Sequence, residues 1–144
     1  MAKREVWDEM IETDEIMGKI EKDGAEYFSR EKNTKIEVGI YLEQLMEERN
    51  ITRKALFRKL NLEESYGRKL LGGQRVPTRK ILLQCAFILG LNLEETQRLL
   101  EIGQKPRLYP RIRYNAAIIH GIKKEMSLDE VNAFLEEIGE DSIL

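Results

Sequence analysis

Cysteine, histidine and proline are scarce in this 144-residue chain. The single cysteine, Cys85, excludes an intrachain disulfide. The single histidine, His120, lies 35 residues from it, a spacing that matches no zinc site. Only 3 prolines are present, and no Gly- or Ser-rich run divides the chain, so no long linker is predicted.

Long apolar runs are missing as well. No segment of ~20 apolar residues occurs, and the N-terminal MAKREVWDEM is too highly charged for a signal peptide. We therefore expect a soluble, cytoplasmic protein with no membrane contact. Because 42% of the residues are hydrophobic, the chain is able to bury a core, and disorder is not expected.

Patterns typical of catalysis are also lacking. Neither Cys85 nor His120 has a Gly-rich or nucleophile-elbow context. The Gly72-Gly73 pair is not followed by the Lys-Ser or Lys-Thr of a phosphate loop. We interpret Cys85 as a small core residue and His120 as a partly buried helix residue. The sequence predicts no enzyme, no catalytic residue, no cofactor and no metal site.

Charge is abundant but unevenly distributed, although the net charge is only -2. Residues 51–80 hold nine basic and two acidic side chains, whereas residues 1–50 hold eight and fourteen, and residues 81–144 hold seven and ten. Salt confines the field of a local excess to roughly 10 Å, so the basic middle could neutralise phosphates in a chain that is acidic overall. A solvated helical surface is the alternative interpretation.

Apolar residues recur with the period of an α-helix over most of the chain. One such stripe consists of Val38, Tyr41, Leu42, Leu45 and Met46. Thr52 is a candidate cap of the next helix, and Asn61 suits a left-handed turn after it. A third helix is expected from about Glu63 until Gly72 and Gly73 end it. No β-branched run alternates with polar residues, so the predicted class is all-α.

The last third of the chain contains a weak repeat. A shift of 35 residues places LNLEETQRLLE (Leu91 to Glu101) on MSLDEVNAFLE (Met126 to Glu136). Each copy reads as an apolar helix, a capped turn and an amphipathic helix. We therefore expect a C-terminal helical hairpin packed on the preceding one, with a coincidence of two capping motifs as the alternative.

Residues 36–100 carry a set of motifs that resembles a known family. The residues are Val38-Gly39, Leu42, Ile51-Thr52, Leu56, Asn61-Leu62, Gly73, Arg75, Pro77-Thr78, Leu82 and Leu89-Gly90-Leu91. Together they resemble the XRE-type helix-turn-helix family of the Cro and lambda repressors, which are small five-helix DNA-binding domains. The region from Leu56 onward, with LYPR and EVNAFLEEIGE, is also similar to a Firmicutes sub-group of transcriptional regulators.

Three parts are predicted, together with a function. The apolar pattern of residues 1–35 predicts an N-terminal helical segment, the resemblance implies a five-helix helix-turn-helix domain at 36–103, and the repeat predicts a C-terminal helical hairpin extension at 104–144. The implied function is sequence-specific binding of double-stranded DNA by a transcriptional regulator. The residues expected to contact DNA are Arg53, Lys54, Ser65, Tyr66, Arg68, Lys69, Arg75, Thr78, Arg79 and Lys80.

Some residues depart from the family pattern. Phe57 stands where the family prefers Ala, which would widen the crossing of the second and third helices. Gly67 replaces a buried aliphatic residue, at a cost of about 1 kcal/mol in helix propensity. Glu63 and Glu64 favour the dipole of the third helix but would repel phosphate, unless one of them accepts a hydrogen bond from cytosine.

Partners follow from the same resemblance. Repressors of this shape pair about a two-fold axis, so a homodimer is expected. The favoured surface is the C-terminal hairpin, through Ile118, Ile122, Val131, Phe134 and Leu135, with the faces around Trp7, Met10 and Met17 as the alternative. A second functional hypothesis is a module of the same fold that binds a protein partner through this hairpin and does not bind DNA.

Overall fold

A computed structural model describes residues 34–144, with side chains described from Glu37 onward. These residues form α1 (Thr34–Glu48), α2 (Arg53–Leu60), α3 (Glu64–Leu71), α4 (Arg79–Leu89), α5 (Leu93–Ile102), α6 (Arg113–Lys123) and α7 (Leu128–Glu137). No strand occurs between residues 34 and 144. The all-α prediction is confirmed for this part, whereas nearly all of the predicted segment 1–35 lies outside the described residues.

Local sequence signals set the ends of the central helices. The Thr52 side chain accepts a hydrogen bond from the Ala55 amide at 3.1 Å, which caps α2. Asn61 ends α2 with a left-handed backbone at φ 56°. Gly72 ends α3, as predicted from the sequence. The boundaries of α2 and α3 therefore follow from residues inside or next to each helix.

The helices of residues 33–144 form one compact unit. Helix α1 packs against α3 and α5, α2 packs against α4, and α7 packs against α4 and α6. The backbones of α1 and α3 approach closely at Gly39 of α1, where an added Cβ would lie 1.9 Å from the carbonyl oxygen of Leu71. Any side chain at this position would push α3 away from α1.

The predicted repeat is confirmed in the fold. Helices α4 and α5 are followed, 34 to 35 residues later, by α6 and α7. Both second helices begin with a reciprocal capping box, Asn92 with Glu95 in α5 and Ser127 with Glu130 in α7. The expected C-terminal hairpin therefore exists, and it packs on the preceding helices within the same compact unit.

The repeat extends into the backbone of the turns. Gly90 and Glu125, 35 residues apart, adopt left-handed φ values of 65° and 54°. Gln104 and Gly139, again 35 residues apart, adopt φ values of 56° and 77°. Glu125 and Gln104 thus take up a conformation that normally favours glycine or asparagine. The two copies share their turn geometry although their residues differ.

Each copy ends in an extended tail that inserts one apolar side chain into the core. Leu108 is 2% exposed and Ile143 is 0% exposed. The amide side chain of Gln97 bonds both the N–H and the carbonyl of Leu108, at 2.8 Å each. Asn132 accepts from the Ile143 amide at 2.9 Å, while Gln84 donates to its carbonyl at 2.7 Å. Amide side chains thus satisfy the backbone of both tails.

The dimer surface assigned to the C-terminal hairpin is wrong. Ile118, Val131 and Leu135 are fully buried, Ile122 is 7% exposed, and Phe134 packs against the core partly buried. These side chains join the core of the compact unit because α7 packs on α4 as well as on α6. Their apolar area is therefore spent within one chain. The alternative surface around Trp7, Met10 and Met17 lies outside the described residues.

Candidate nucleic-acid interface

Helices α2 and α3 and the three residues that join them are called the basic helix pair. The connection is fixed by backbone hydrogen bonds, from the Asn61 amide to the Arg58 carbonyl at 3.1 Å and from the Leu62 amide to the Phe57 carbonyl at 2.9 Å. The left-handed Asn61 reverses the chain within this short connection. The two eight-residue helices are thereby held against each other and against the core.

Phe57 and Gly67 fit each other across the basic helix pair. A Cβ built on Gly67 would lie 2.5 Å from the Cδ1 and Cε1 atoms of the Phe57 ring. The ring thus fills the space that a side chain at position 67 would need, and both residues are buried. The widened crossing expected from Phe57 is not required, because the missing side chain of Gly67 accommodates the ring.

The outer face of α3 contains three of the predicted contact residues. Ser65, Arg68 and Lys69 are exposed and follow the i, i+3, i+4 spacing of one helix face. Gly67, Leu70 and Leu71 are buried on the opposite side. Tyr66 is partly buried, so it presents less of its surface than its neighbour Ser65.

Two predicted contact residues lie at the start of α2. Lys54 is exposed, and no acidic group between residues 34 and 144 pairs with it. Arg53 is also exposed, but its guanidinium forms an ion pair with Glu43 of α1. Because this pair is exposed, it holds Arg53 only weakly, and a phosphate could replace the carboxylate.

The turn after α3 presents a further cation. The amides of Gln74 and Arg75 both donate to the Lys69 carbonyl, at 2.9 and 3.2 Å, while Gly73 adopts a φ of 85°. Pro77 is buried, so it anchors the far end of the turn. The turn is therefore shaped by its backbone, and the Arg75 side chain remains exposed.

Three predicted contact residues lie at the start of α4, and their side chains have different roles. Thr78 caps the helix by accepting from the Ile81 amide at 3.1 Å, and Lys80 is exposed. Arg79, by contrast, is partly buried and donates to the carbonyls of Pro106 and Arg107, at 3.0 and 3.2 Å.

Arg79 also donates to the Asn115 side chain at 3.1 Å. Burial lowers the pKa of the Arg79 guanidinium, an effect that nearby Tyr114 opposes. The structure thus gives Arg79 an internal bonding role, and the phosphate contact expected from the sequence is not proposed for it.

Positive charge dominates the surface of the basic helix pair and its flanks. Seven exposed cations have no acidic partner between residues 34 and 144: Lys54, Arg58, Lys59, Arg68, Lys69, Arg75 and Lys80. Of these, Arg58 and Lys59 were not among the predicted contacts, although the local charge count already contained them.

Glu63 and Glu64 are the acidic exceptions at the start of α3, and both are exposed. Glu63 occupies the cap position without a side-chain hydrogen bond. Both carboxylates can still interact with the positive end of the α3 dipole.

The residues considered for catalysis have structural surroundings. Cys85 is 1% exposed, and burial raises the pKa of its thiol to about 12, which confirms its interpretation as a core residue. His120 is exposed rather than partly buried, with its ring centroid 5.0 Å from that of Phe134. In the part of the chain that the structure describes, no three His, Cys, Asp or Glu residues could hold a metal ion together.

Comparison with protein-family models, with curated proteins and with solved structures finds no match for this chain. In residues 34–144 there is no helix with the length and apolar character needed to cross a membrane.

Proposed function

We propose that the chain binds double-stranded DNA sequence-specifically and acts as a transcriptional regulator. In this proposal α1 to α5 form the five-helix domain of the Cro and lambda repressor type, with α2 and α3 as its helix-turn-helix. The support is the family resemblance of residues 36–100 together with the surface of the basic helix pair.

The observation that carries the proposal is the outer face of α3. Ser65, Arg68 and Lys69 are exposed on it, and the two cations have no carboxylate partner in residues 34–144. A major groove ~12 Å wide admits one α-helix, and Arg and Lys side chains bind the O6 and N7 atoms of guanine there. Ser65 could bond to either kind of base edge.

Three further exposed cations, on the helices and the turn next to α3, suit phosphate contacts. Lys54 begins α2, Arg75 follows α3, and Lys80 lies in the first turn of α4. Phosphate contacts position a protein on the duplex without reading its sequence. We therefore assign phosphate contacts to these three residues. Arg68 and Lys69 have two roles in the proposal: their charges add to the salt-dependent affinity for any duplex, and on a preferred sequence they recognise bases.

The two glutamates at the start of α3 refine the proposal. Glu63 and Glu64 would face a phosphate-rich surface, which weakens non-specific binding through like-charge repulsion. An acidic side chain can also accept a hydrogen bond from the cytosine amino group. The two glutamates should therefore lower the affinity for DNA of any sequence and increase the difference in affinity between one sequence and another.

The protein-interaction alternative names the C-terminal hairpin as the surface that binds a partner. Most of the apolar side chains of this hairpin are buried within the chain, and no specific observation favours the alternative. Dimerisation stays a proposal without an assigned surface. Shortening the chain after Gln104 would remove the buried Leu108, Ile118 and Ile143, so sedimentation of the full chain is the appropriate test.

The test of DNA binding is a salt titration with the full chain. A fluorescein-labelled, mixed-sequence duplex is titrated with protein at several salt concentrations, and log K is plotted against log salt. Each neutralised phosphate contributes about -0.9 to the slope. We expect a steep negative slope, and selection from random duplexes should then enrich one sequence. Absence of binding at low salt, or binding without salt dependence, would contradict the proposal.

A further inference from the structure

The loop between α5 and α6, residues 103–112, lies against the start of α4. Arg79, the first residue of α4, donates to the carbonyl oxygens of Pro106 and Arg107 in this loop. It also donates to Asn115 in the first turn of α6. One guanidinium therefore fixes the loop next to Lys80, which belongs to the proposed DNA surface.

The loop is also fixed from inside. Leu108 inserts into the core at 2% exposure, and Gln97 bonds both its amide and its carbonyl. The residues that follow point outward instead, since Tyr109 is 57% exposed and Ile112 is 53% exposed. A large aromatic side chain is thus exposed on a loop whose backbone is held by hydrogen bonds from Arg79 and Gln97.

The three arginines between residues 107 and 113 differ in whether a carboxylate pairs with them. Arg107 pairs with Glu101 at 3.5 Å, and Arg113 pairs with Glu140 at 3.5 Å. Arg111, between them, is exposed, and it has no carboxylate partner between residues 34 and 144. Next to the exposed Tyr109, this leaves one phenol and one guanidinium available on the same short segment.

We infer that Tyr109 and Arg111 form a second DNA-contacting element, which binds the sugar-phosphate backbone beside the groove read by α3. This inference rests on the proposed function, because the loop adjoins the DNA surface only through Arg79 and Lys80. A guanidinium binds a phosphate through two parallel hydrogen bonds, and a phenol donates one. Arg79 acts here as a positioning residue, which holds the loop in place.

Arg111→Gln tests the inference in the full chain. The probe is a mixed-sequence duplex of about two helical turns, long enough to extend beyond one major groove. Loss of one phosphate contact should flatten the slope of log K against log salt by about 0.9. The affinity ratio of the original protein to the variant should accordingly fall about threefold when salt rises about fourfold.

The matched control is Lys123→Gln, which removes one exposed positive charge at the other end of α6. We expect it to leave the slope unchanged. Tyr109→Phe should lower the affinity at every salt concentration without changing the slope, because it removes a hydroxyl and no charge. Equal effects of Arg111→Gln and Lys123→Gln would mean that only net charge matters, and would overturn the inference.

The inference and the proposed function fail in different ways. If Arg111→Gln leaves the slope unchanged while Arg68→Gln with Lys69→Gln flattens it, the second element is absent and the proposed function stands. If neither set of changes alters the slope, the proposed function itself is wrong and the inference falls with it.

Discussion

The basic helix pair and the C-terminal helix pair, α6 with α7, are packed alike but charged differently. In the first, a Cβ on Gly67 would lie 2.5 Å from the Phe57 ring. In the second, a Cβ on Gly121 would lie 2.7 Å from Val131. Each pair thus sets a glycine of one helix against a large side chain of the other.

The outer surfaces of the two pairs differ. The exposed acidic residues of α7 are Asp129, Glu130, Glu136 and Glu137. The other helix of the C-terminal pair, α6, exposes the cations Arg113 and Lys123, whereas the basic helix pair exposes Arg and Lys on both helices, with acidic groups at the start of α3 alone. The glycine contact therefore does not distinguish the two pairs, whereas surface charge does. The proposed binding of a polyanion is accordingly assigned to the first pair.

The largest effect is expected from the tail that closes the C-terminal pair, a feature that the basic pair lacks. Ile143→Ala should lower the free energy of unfolding by about 2–5 kcal/mol, because Ile143 is fully buried. Urea unfolding measures this loss. Its matched control is Leu144→Ala, at a neighbouring residue that is 69% exposed, with an expected change of less than about 0.5 kcal/mol.

DNA affinity of the folded Ile143→Ala protein should remain unchanged, because the residues that bond the tail, Gln84 and Asn132, do not belong to the proposed DNA surface. A loss of affinity under conditions where the variant is folded would link the tail to the DNA surface. Equal destabilisation by both substitutions would show that Ile143 is not a core residue.

A smaller effect on stability is expected at the two glycines that pack against a side chain of the partner helix, Gly67 and Gly121. Gly67→Ala gains up to about 1 kcal/mol in helix propensity but crowds the Phe57 ring, at a typical cost of about 1–3 kcal/mol. We expect a net loss of stability from this substitution, and also from Gly121→Ala against Val131. Denaturant unfolding of the two single variants measures the change in the free energy of unfolding for each.

The double variant gives the sharper result. With Phe57→Leu already present, Gly67→Ala should no longer meet the ring and should stabilise the protein by up to about 1 kcal/mol. A change of sign between the two backgrounds would confirm that the glycine is required by the ring. If Gly67→Ala has the same effect in both, Phe57 does not determine the residue at position 67.

The smallest effect concerns the acidic start of α3. Glu63→Gln with Glu64→Gln should raise the affinity for mixed-sequence duplex, since two charges that repel phosphate are removed. The helix should lose only about 0.3–1 kcal/mol for each charge. The control is Glu136→Gln with Glu137→Gln, two adjacent exposed glutamates of α7, which should leave the affinity unchanged. A loss of affinity for one selected sequence alone would indicate a base contact.

Local features of this fold could be predicted from the sequence. The cap at Thr52, the left-handed Asn61 and the end of α3 at Gly72 each depend on residues within a few positions of one another. The 35-residue repeat could also be predicted, because its capping residues recur at matching positions. Short-range hydrogen bonding determines these elements, so sequence spacing is sufficient to find them.

Contacts between distant residues could not be predicted in the same way. In the sequence, Phe57 and Gly67 are two separate departures from the family pattern, because only the packed helices bring the ring against the glycine. The internal bonds of Arg79 have no sequence signal either, since the carbonyls that its guanidinium bonds lie 27 and 28 residues further along. For the same reason, the burial of the hairpin face was missed: it depends on where α7 meets α4.

The most direct measurement compares two adjacent pairs of exposed cations. Arg68 and Lys69 lie on α3, whereas Lys123 and Lys124 lie at the end of α6. Both cations of each pair are changed to Gln, so the two double variants lose the same charge. We expect the first variant to flatten the slope of log K against log salt by nearly two units, and the second to leave it unchanged. Equal slopes for the two folded variants would contradict DNA binding by α3.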